Sequence, residues 1–188
     1  MSLFIKPEKA DKIEQTIGYE FKDRKLLTNA FSHSSFVNEK HLSKSDCNER
    51  MEFLGDAVLE LATSEFLFNR HKDMQEGELT KLRARLVCEQ ALAYSAREIG
   101  LSDYLLLGHG EAITGGRNRD SILSDALEAL IGAIYLDGGL TNAKEFIEKH
   151  VLNDIEHKKL FFDSKTIFQE MVQSDNMGAI SYKLLAEY

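Results

Sequence analysis

The sequence predicts an all-α fold for most of the chain. Only 1 proline, Pro7, occurs among 188 residues, and the two-residue alternation of apolar and polar side chains that marks strands is almost absent. The composition, 43% hydrophobic and 29% charged, is typical of a compact globular domain. Disordered chains, collagen-like repeats and disulfide scaffolds are thereby excluded.

The start of the chain predicts two short helices and a loop. Pro7 suits the first turn of a helix, because its missing N–H would be unpaired there, and Gly18 should end that helix. Asp23 is expected to cap a second helix that continues to about Phe31. The polar stretch 34–46 is expected to be a loop.

The rest of the main domain predicts longer helices separated by glycine-rich breaks. Apolar residues at helical spacing indicate five of them, at about 47–70, 78–87, 89–100, 118–137 and 141–158. Gly108 and Gly115 mark an irregular connection. The pair Gly138-Gly139 should stop one helix, and Thr141 should cap the next.

The end of the chain has a different pattern. Residues 165–173 predict a short helix, and residues 180–185 begin to alternate like a strand. One helix and one strand cannot bury a core of their own. This segment therefore packs on the main domain or opens a second domain that the chain does not finish.

Charge and cysteine content narrow the functional class. The net charge of −8 taken alone argues against a protein that binds a phosphate backbone. Cys47 and Cys88 have no metal-like spacing and are expected to be reduced thiols of a cytoplasmic protein. No apolar run approaches the roughly 20 residues that span a bilayer, so no membrane partner is expected.

The helix predicted at 47–70 carries an acidic arc about 80° wide, formed by Glu49, Glu52, Asp56 and Glu60. No basic residue within the arc relieves the repulsion. A solvated face is the alternative, and Glu49 could instead form a capping box with Asp46. The residues expected to face the core are Met51, Leu54, Val58, Leu61 and Ala62.

The next-to-last predicted helix of the main domain is apolar on nearly all sides, which implies burial. From Ser121 onwards its apolar part carries only two charges, Asp125 and Glu128, and these lie on one face. Gly132 shares that face and would leave room beside the carboxylates. Buried carboxylates must be neutralised, paired or bound to a metal, so a salt bridge to an arginine is the alternative to a metal site.

The ligand types favour a hard cation. No histidine or cysteine lies three or four residues from any candidate carboxylate, which argues against zinc and against a ferritin-like di-iron site. Carboxylate oxygens suit Mg²⁺, or Mn²⁺ in its place. Mg²⁺ held in this way usually serves phosphate chemistry and would let an acidic cleft accept a phosphate. His33 is expected to bond within its own loop rather than act as a base.

Several segments resemble the motifs of the bacterial ribonuclease III family. Residues 48–61, Asn-Glu-Arg-Met-Glu-Phe-Leu-Gly-Asp-Ala-Val-Leu-Glu-Leu, resemble its signature, and residues 30–39, 76–87 and 121–133 resemble its other motifs in the same order. The similarity covers most of residues 10–157. It implies an endonuclease that cuts double-stranded RNA, leaving 5′-phosphate and 3′-hydroxyl ends with short 3′ overhangs, and that matures ribosomal RNA precursors and other structured transcripts.

The resemblance also assigns site residues. The positions that match the family's Mg²⁺ cluster are Glu52, Asp56, Asp125 and Glu128. Asp56 and Glu128 match the positions usually named catalytic. Glu49 and Glu76 match two further acidic positions around the cleavage centre, although Glu76 could be a solvated loop acid. Glu60 matches no position of consequence.

The family implies a homodimer whose two clefts face a common valley. Phe53 lies beside the acidic arc rather than on the core side, where an aromatic needs a partner to cover it, and it matches a phenylalanine of the subunit junction. The candidates for contacts with RNA near the site are Lys81, Arg83, Arg85, Arg117 and Arg119. Arg83 or Arg119 could equally pair with the cluster carboxylates.

The end of the chain resembles the start of the family's C-terminal double-stranded-RNA-binding domain. Residues 163–170 resemble its first helix, with Lys165 and Gln169 as RNA contacts, and residues 181–184 resemble its first strand. Such a domain needs roughly three times the residues left here. The predicted organisation is a ribonuclease III catalytic domain at 1–157, a linker at 158–164 and an incomplete α+β RNA-binding domain at 165–188.

Two other classes fit less well. A protein that binds duplex RNA without cutting it would be expected to lack some of the acidic residues, and all six are present. An all-α Mg²⁺ enzyme acting on diphosphates would need aspartate-rich runs, whereas the carboxylates here are spaced singly.

Overall fold

The computed structural model describes residues 5–153, and this part of the chain is helical. Its α-helices are α1 Pro7–Ile17, α2 Arg24–Ala30, α3 Ser34–Glu39, α4 Glu49–Arg70, α5 Glu76–Leu86, α6 Glu89–Glu98, α7 His109–Ile113 and α8 Asp120–His150. The described residues contain no strand, only an isolated parallel bridge between Ser32 and Leu106. The predicted all-α fold is confirmed.

The segments predicted at 165–173 and 180–185, the domain limits at 157 and 164, and the candidates Lys165 and Gln169 lie outside the described residues. Within residues 5–153 no helix has the length and apolar character needed to cross a membrane. Cys47 and Cys88 form no disulfide.

The first two helices begin and end where the sequence predicts. Pro7 stands in the first turn of α1, and Gly18 ends the helix in a left-handed conformation, with φ 74°, which glycine adopts without strain. The carboxylate of Asp23 accepts a hydrogen bond of 2.9 Å from the N–H of Lys25 and so caps α2. Sequence signals at helix ends were sufficient here because they act locally.

The prediction of a loop at 34–46 is wrong. Residues Ser34–Glu39 form α3, and Lys44–Asp46 form a turn of 3₁₀ helix. Phe36 and Val37 are buried on one side of α3 and pack with Cys47. Two apolar residues in a polar stretch are too few to show a helical period.

The same region decides how α4 begins. Its N-cap is Asn48, and no side chain caps the helix, so the alternative of a capping box between Asp46 and Glu49 is wrong. A capping box does occur at the start of α5, between Gln75 and Glu78.

Helices α4 and α8 cross at two glycines in the centre of the domain. A Cβ atom on Gly55 would lie 1.8 Å from the carbonyl oxygen of Glu128, and one on Gly132 would lie 2.3 Å from the carbonyl oxygen of Met51. No other residue permits this approach. Gly132 therefore brings the two helices together rather than leaving room beside the carboxylates.

The crossing also sets which side of α4 is buried. Val58 and Ala62 face the core as predicted, and so do Gly55 and Leu59. Leu61, predicted to be buried, is 54% exposed. Because Gly55 must face α8, the buried side of α4 is rotated away from Leu61.

Helix α8 bends at a glycine and is tied to the start of the chain there. Gly139 has non-helical angles, φ 80° and ψ 179°, so the predicted break is a kink between two consecutive helical parts. The second part ends at His150, before the predicted end at Lys158.

A short helix, α7, lies within the connection predicted to be irregular.

Candidate metal centre

Three carboxylates from α4 and α8 converge in one place. Glu52, Asp125 and Glu128 each offer one carboxylate oxygen, and these oxygens lie within 4.8 Å of one another. All three side chains are partly buried. Oxygen ligands lie roughly 2.0–2.6 Å from Mg²⁺ or Ca²⁺, and hence up to about 5 Å from each other, so one divalent cation fits among them. We call these three residues the acidic cluster.

The crossing of the two helices explains why the cluster forms. Glu52 lies about one turn before Gly55 on α4, and Glu128 lies about one turn before Gly132 on α8. The two close backbone contacts therefore place the side chains of Glu52 and Glu128 beside each other at the crossing of α4 and α8. Asp125, three residues before Glu128, shares its face of α8.

Burial acts on every member of the cluster, and repulsion from neighbouring carboxylates adds to it. Burial, and after it the repulsion from Asp56 and Glu52, raises the pKa of Glu128 to about 8. Burial and then the charge of Asp125 raise the pKa of Glu52, and burial raises the pKa of Asp125. A cation would favour the charged forms instead, so the donor set fits a hard metal ion.

The lysines and arginines of the described residues form no ion pair with the cluster. None of the lysines and arginines at 5–153 forms an ion pair with Glu52, Asp56, Asp125 or Glu128. The alternative of a structural salt bridge to an arginine is therefore wrong for this part of the chain. An unpaired group of partly buried carboxylates is costly unless something neutralises it.

The other acidic candidates differ in whether their charge acts on the cluster. Asp56 is exposed, and its charge acts on Glu128 although it lies outside the three-residue group. Glu49 is exposed, and its charge acts on Glu52. Glu76 is not among the carboxylates that influence the cluster. It begins α5 and accepts a hydrogen bond of 3.0 Å from the hydroxyl of Thr80.

Two of the basic candidates are bound to other carboxylates. The guanidinium of Arg83 pairs with Glu60 at 2.7 Å and donates to the hydroxyl of Ser64 at 2.8 Å. Arg119 pairs with Glu111 at 2.8 Å. The alternative that Arg83 or Arg119 pairs with the cluster is therefore wrong.

The remaining basic candidates divide between backbone contacts and an exposed helix face. Arg117 donates to the carbonyl oxygens of Ser102, at 2.9 Å, and Leu105, at 2.8 Å. Lys81 is exposed on α5, and Arg85 is half-buried on the same helix.

Two neighbours of the cluster were missed by sequence reasoning. His33, just before α3, and Glu89, the first residue of α6, both act electrostatically on Asp125. They come from elements distant in sequence, and no spacing links them to Asp125. His33 also bonds within its own loop as predicted, since its Nδ1 contacts Ser35.

An apolar stripe follows the exposed side of α4 beside the acidic arc. Phe53 is 79% exposed, Leu61 54% and Phe68 72%. The exposure predicted for Phe53 is confirmed. A groove of about 800 Å³ between α4 and α5 continues the stripe, and Leu61, Phe68 and Glu76 are among its lining residues. Exposed apolar surface of this kind is typical of an interaction site.

Comparisons with known proteins agree with this architecture. A family model described as ribonuclease-III-like matches residues 23–155. Ribonuclease 3 of Staphylococcus aureus strain JH9 is 49% identical over 173 residues, which cover 91% of this chain and 71% of that protein.

Solved structures give the same result. A crystal structure of the nuclease domain of ribonuclease III from Campylobacter jejuni superposes with a TM-score of 0.71 and 45% identity, over 78% of this chain and 95% of that one. A second structure of that nuclease domain superposes with a TM-score of 0.68 and 48% identity, over 74% and 96% of the two chains. It is described as showing structural flexibility in the region involved in dimer formation.

Proposed function

Because the chain belongs to the ribonuclease III family and is therefore an endoribonuclease, we propose that it hydrolyses double-stranded RNA with Mg²⁺ at the acidic cluster. The observation that carries this proposal is the convergence of three carboxylate oxygens within 4.8 Å, with no ion pair to a lysine or arginine among the described residues. Mn²⁺ offers the same hard-ligand chemistry and would substitute.

The proposed metal ligands are Glu52, Asp125 and Glu128, with Asp56 completing the set from the exposed edge. A bound Mg²⁺ would lower the pKa of a coordinated water and neutralise the charge that develops on the phosphate. Asp56 and Glu128 are the proposed catalytic residues, because they match the positions of the family motifs that are usually named catalytic. Attack in line with the P–O3′ bond breaks that bond and leaves a 5′-phosphate and a 3′-hydroxyl.

We propose that the apolar stripe of α4 is the interface of a homodimer. Phe53, Leu61 and Phe68 expose large apolar side chains on α4, and a second copy of the chain would remove them from water. The description of the Campylobacter jejuni domain, which mentions dimer formation, supports this proposal. Two clefts in one dimer would cut the two strands at offset positions and leave short 3′ overhangs.

We propose supporting roles for the outer residues. Glu49 and Glu76 would border the valley between the two clefts. Lys81, exposed on α5, is the proposed contact with RNA among residues 5–153. The natural substrates would be ribosomal RNA precursors and other structured transcripts of the cytoplasm.

The test is cleavage of a long RNA duplex in Mg²⁺ at low salt. The parent chain should give short duplexes with 5′-phosphate ends, and Glu128→Gln should give none. Glu145→Gln, which changes an exposed carboxylate on the second part of α8, is the matched control and should cut like the parent. Products from Glu128→Gln at the parental rate would contradict the assignment of Glu128.

A thermal measurement tests the metal site without RNA. Adding Mg²⁺ should raise the unfolding midpoint of the parent and of Glu145→Gln, because the ion binds only the folded cluster. Glu128→Gln should respond much less. The absence of any shift in the parent with Mg²⁺ and with Mn²⁺ would contradict the metal site.

A further inference from the structure

A pocket lined mainly by basic side chains lies between the first helix and the turn that follows α6. Its lining residues are Lys9 and Lys12 of α1, Asp103 and Tyr104 of that turn, and Arg117, which precedes α8. The pocket has a volume of about 360 Å³, which is within the range of small-molecule sites. Three cations meet a single carboxylate in this basic pocket, although the chain as a whole has a net charge of −8.

Two of the three cations are held in place by backbone oxygens of the same turn. The Nζ atom of Lys9 donates to the carbonyl oxygen of Asp103 at 2.7 Å. The guanidinium of Arg117 donates to the carbonyl oxygens of Ser102 and Leu105 at 2.9 and 2.8 Å. An ammonium group has three N–H donors and a guanidinium has five, so both side chains keep donors for a ligand. Carbonyl oxygens fix the positions of these cations without neutralising their charges.

No carboxylate of the described residues neutralises the three cations either. Within residues 5–153, Lys9, Lys12 and Arg117 form no ion pair, and Asp103 forms none although it lines the same pocket. Like charges that are brought together repel each other. A bound anion would therefore stabilise the basic pocket.

Tyr104 offers the basic pocket a donor that the fold does not use. The residue is only 6% exposed, its ring packs against Phe31, and the Nζ atom of Lys9 lies 5.9 Å from the ring centre. The hydroxyl of Tyr104 forms no hydrogen bond with the described residues, and it is not one of the unpaired polar atoms that are closed off from solvent. Burial and the charge of Asp103 raise the pKa of Tyr104, so the hydroxyl keeps its proton and can donate.

We propose that the basic pocket binds a phosphate group through its three cations and the hydroxyl of Tyr104. A phosphate monoester offers three strong acceptor oxygens and up to two negative charges, which match four donor groups and an excess of positive charge. A carboxylate has two oxygens and one charge and would leave donors of the pocket unused. The phosphates of an RNA strand and a free phosphate compound share this chemistry. The acidic cluster takes no part in the site.

Two substitutions each remove one donor and leave the packing of the fold in place. Lys12→Gln removes the charge of an exposed side chain that has no ion pair at 5–153. Tyr104→Phe removes only a hydroxyl and keeps the ring that packs against Phe31. Lys72→Gln is the matched control, because Lys72 is an exposed lysine outside the basic pocket. The unfolding midpoints of all three variants in EDTA should be close to the parental value.

The first measurement is a titration of the full chain with inorganic phosphate in EDTA at constant ionic strength, followed by the backbone amide signals of residues 101–104 and 117. The parent and Lys72→Gln should show shifts that saturate. Lys12→Gln and Tyr104→Phe should each bind phosphate about 10-fold more weakly, because each loses a hydrogen bond to a charged group. A parent without saturable shifts, or parental affinity in both pocket variants, would overturn the inference.

A second measurement identifies the source of the phosphate. Binding of an RNA duplex in EDTA is followed by fluorescence anisotropy at several salt concentrations. If the ligand is a phosphate of RNA, Lys12→Gln should weaken duplex binding and reduce the salt slope by about 1. Parental duplex binding together with weakened binding of inorganic phosphate would assign the pocket to a free phosphate compound. Both measurements are made without a divalent cation, so a failure of the proposed metal site would not change their outcome.

Discussion

Glu128 and Asp137 lie on the same helix, α8, in opposite surroundings. The carboxylate of Asp137 accepts hydrogen bonds from the hydroxyl of Tyr19 at 2.6 Å and from the N–H groups of Lys22 and Asp23 at 3.0 and 2.9 Å. Burial would raise the pKa of Asp137, but these hydrogen bonds outweigh it and the pKa is lowered. The pKa of Glu128 is raised to about 8 by burial and by neighbouring carboxylates.

The contrast between Asp137 and Glu128 shows that one helix, α8, can carry a carboxylate that stabilises the fold and another that is suited to bind a ligand. A carboxylate surrounded by donors stabilises the fold and offers nothing to a ligand, since its lone pairs are occupied. A carboxylate surrounded by other carboxylates lowers the stability of the fold until a cation binds and offsets the repulsion. Asp137 therefore holds the start of the chain against the kink of α8, and Glu128 is available for a metal ion.

The largest expected effect concerns the glycines beside these two carboxylates. Gly132→Ala would put a Cβ atom 2.3 Å from a backbone oxygen of Met51, and Gly138→Ala would put one 2.3 Å from the hydroxyl of Tyr19. Backbone cannot yield as a side chain can, so Gly132→Ala should lower the free energy of unfolding by about 3 kcal/mol and Gly138→Ala by about half as much. Urea unfolding of the metal-free variants measures both. Equal losses of unfolding free energy in the two variants would mean that the surroundings of Gly132 and Gly138 are equally rigid.

The two carboxylates should respond to neutralisation with opposite signs. Asp137→Asn should lower the free energy of unfolding by roughly 2 kcal/mol, because it removes a charged acceptor of several hydrogen bonds. Glu128→Gln should raise it in EDTA by about 1 kcal/mol, allowing for partial exposure to solvent. The same urea titrations give both values. A loss of stability in both variants would contradict the contrast drawn between the two sites.

The pH dependence of stability should separate the sites further. The pKa of Glu128 is about 8 in the folded chain against an ordinary value of 4.5, so between these limits the folded state holds a proton that the unfolded state has released. The free energy of unfolding in EDTA should therefore fall as the pH rises from 4.5 to 8, and Glu128→Gln should flatten that fall.

For Asp137 the sign is reversed. Its lowered pKa contributes stability that is present above the ordinary value of 3.8 and is lost as the pH falls below it. Acid unfolding of Asp137→Asn should consequently be less steep than that of the parent. If the free energy of unfolding of the parent in EDTA did not change from pH 4.5 to 8, the carboxylates of the acidic cluster would not be destabilising the fold.

The smallest effect is expected at Glu60, a carboxylate of the acidic arc that does have a cation beside it. Its ion pair with Arg83 is half-exposed, and such pairs contribute only about 0.2–1 kcal/mol. Glu60→Gln should therefore change the unfolding midpoint slightly and leave both cleavage and the response to Mg²⁺ intact. A loss of metal response comparable to that of Glu128→Gln would place Glu60 in the metal site.

Glu60 also illustrates what a single sequence can and cannot predict. The pair Asp125 and Glu128 was recognisable because charges in an apolar helix break its pattern. The acidic arc was recognisable because like charges share one face of the helix without a basic residue among them. Angles around α4 could not separate Glu60 from Asp56, because the difference is made by Arg83 on another helix.

Contacts between residues that are distant in sequence also explain the other errors of the sequence analysis. Leu61 was assigned to the core from the spacing of α4 alone, whereas Gly55 decides which side meets α8. The electrostatic effect of His33 on the pKa of Asp125 links residues far apart in sequence. Helix ends at Pro7, Gly18 and Asp23 were predicted correctly, because each depends on neighbours within one turn.

The contact between Gly55 and Gly132 has a consequence for which substitutions the sequence can tolerate during evolution. Main-chain atoms set the separation of α4 and α8, so exchanges of core side chains that conserve volume should leave the geometry of the carboxylates unchanged. The two glycines, in contrast, can be exchanged only together with a shift of the whole helix pair. The geometry of the acidic cluster therefore depends on two residues that have no side chain.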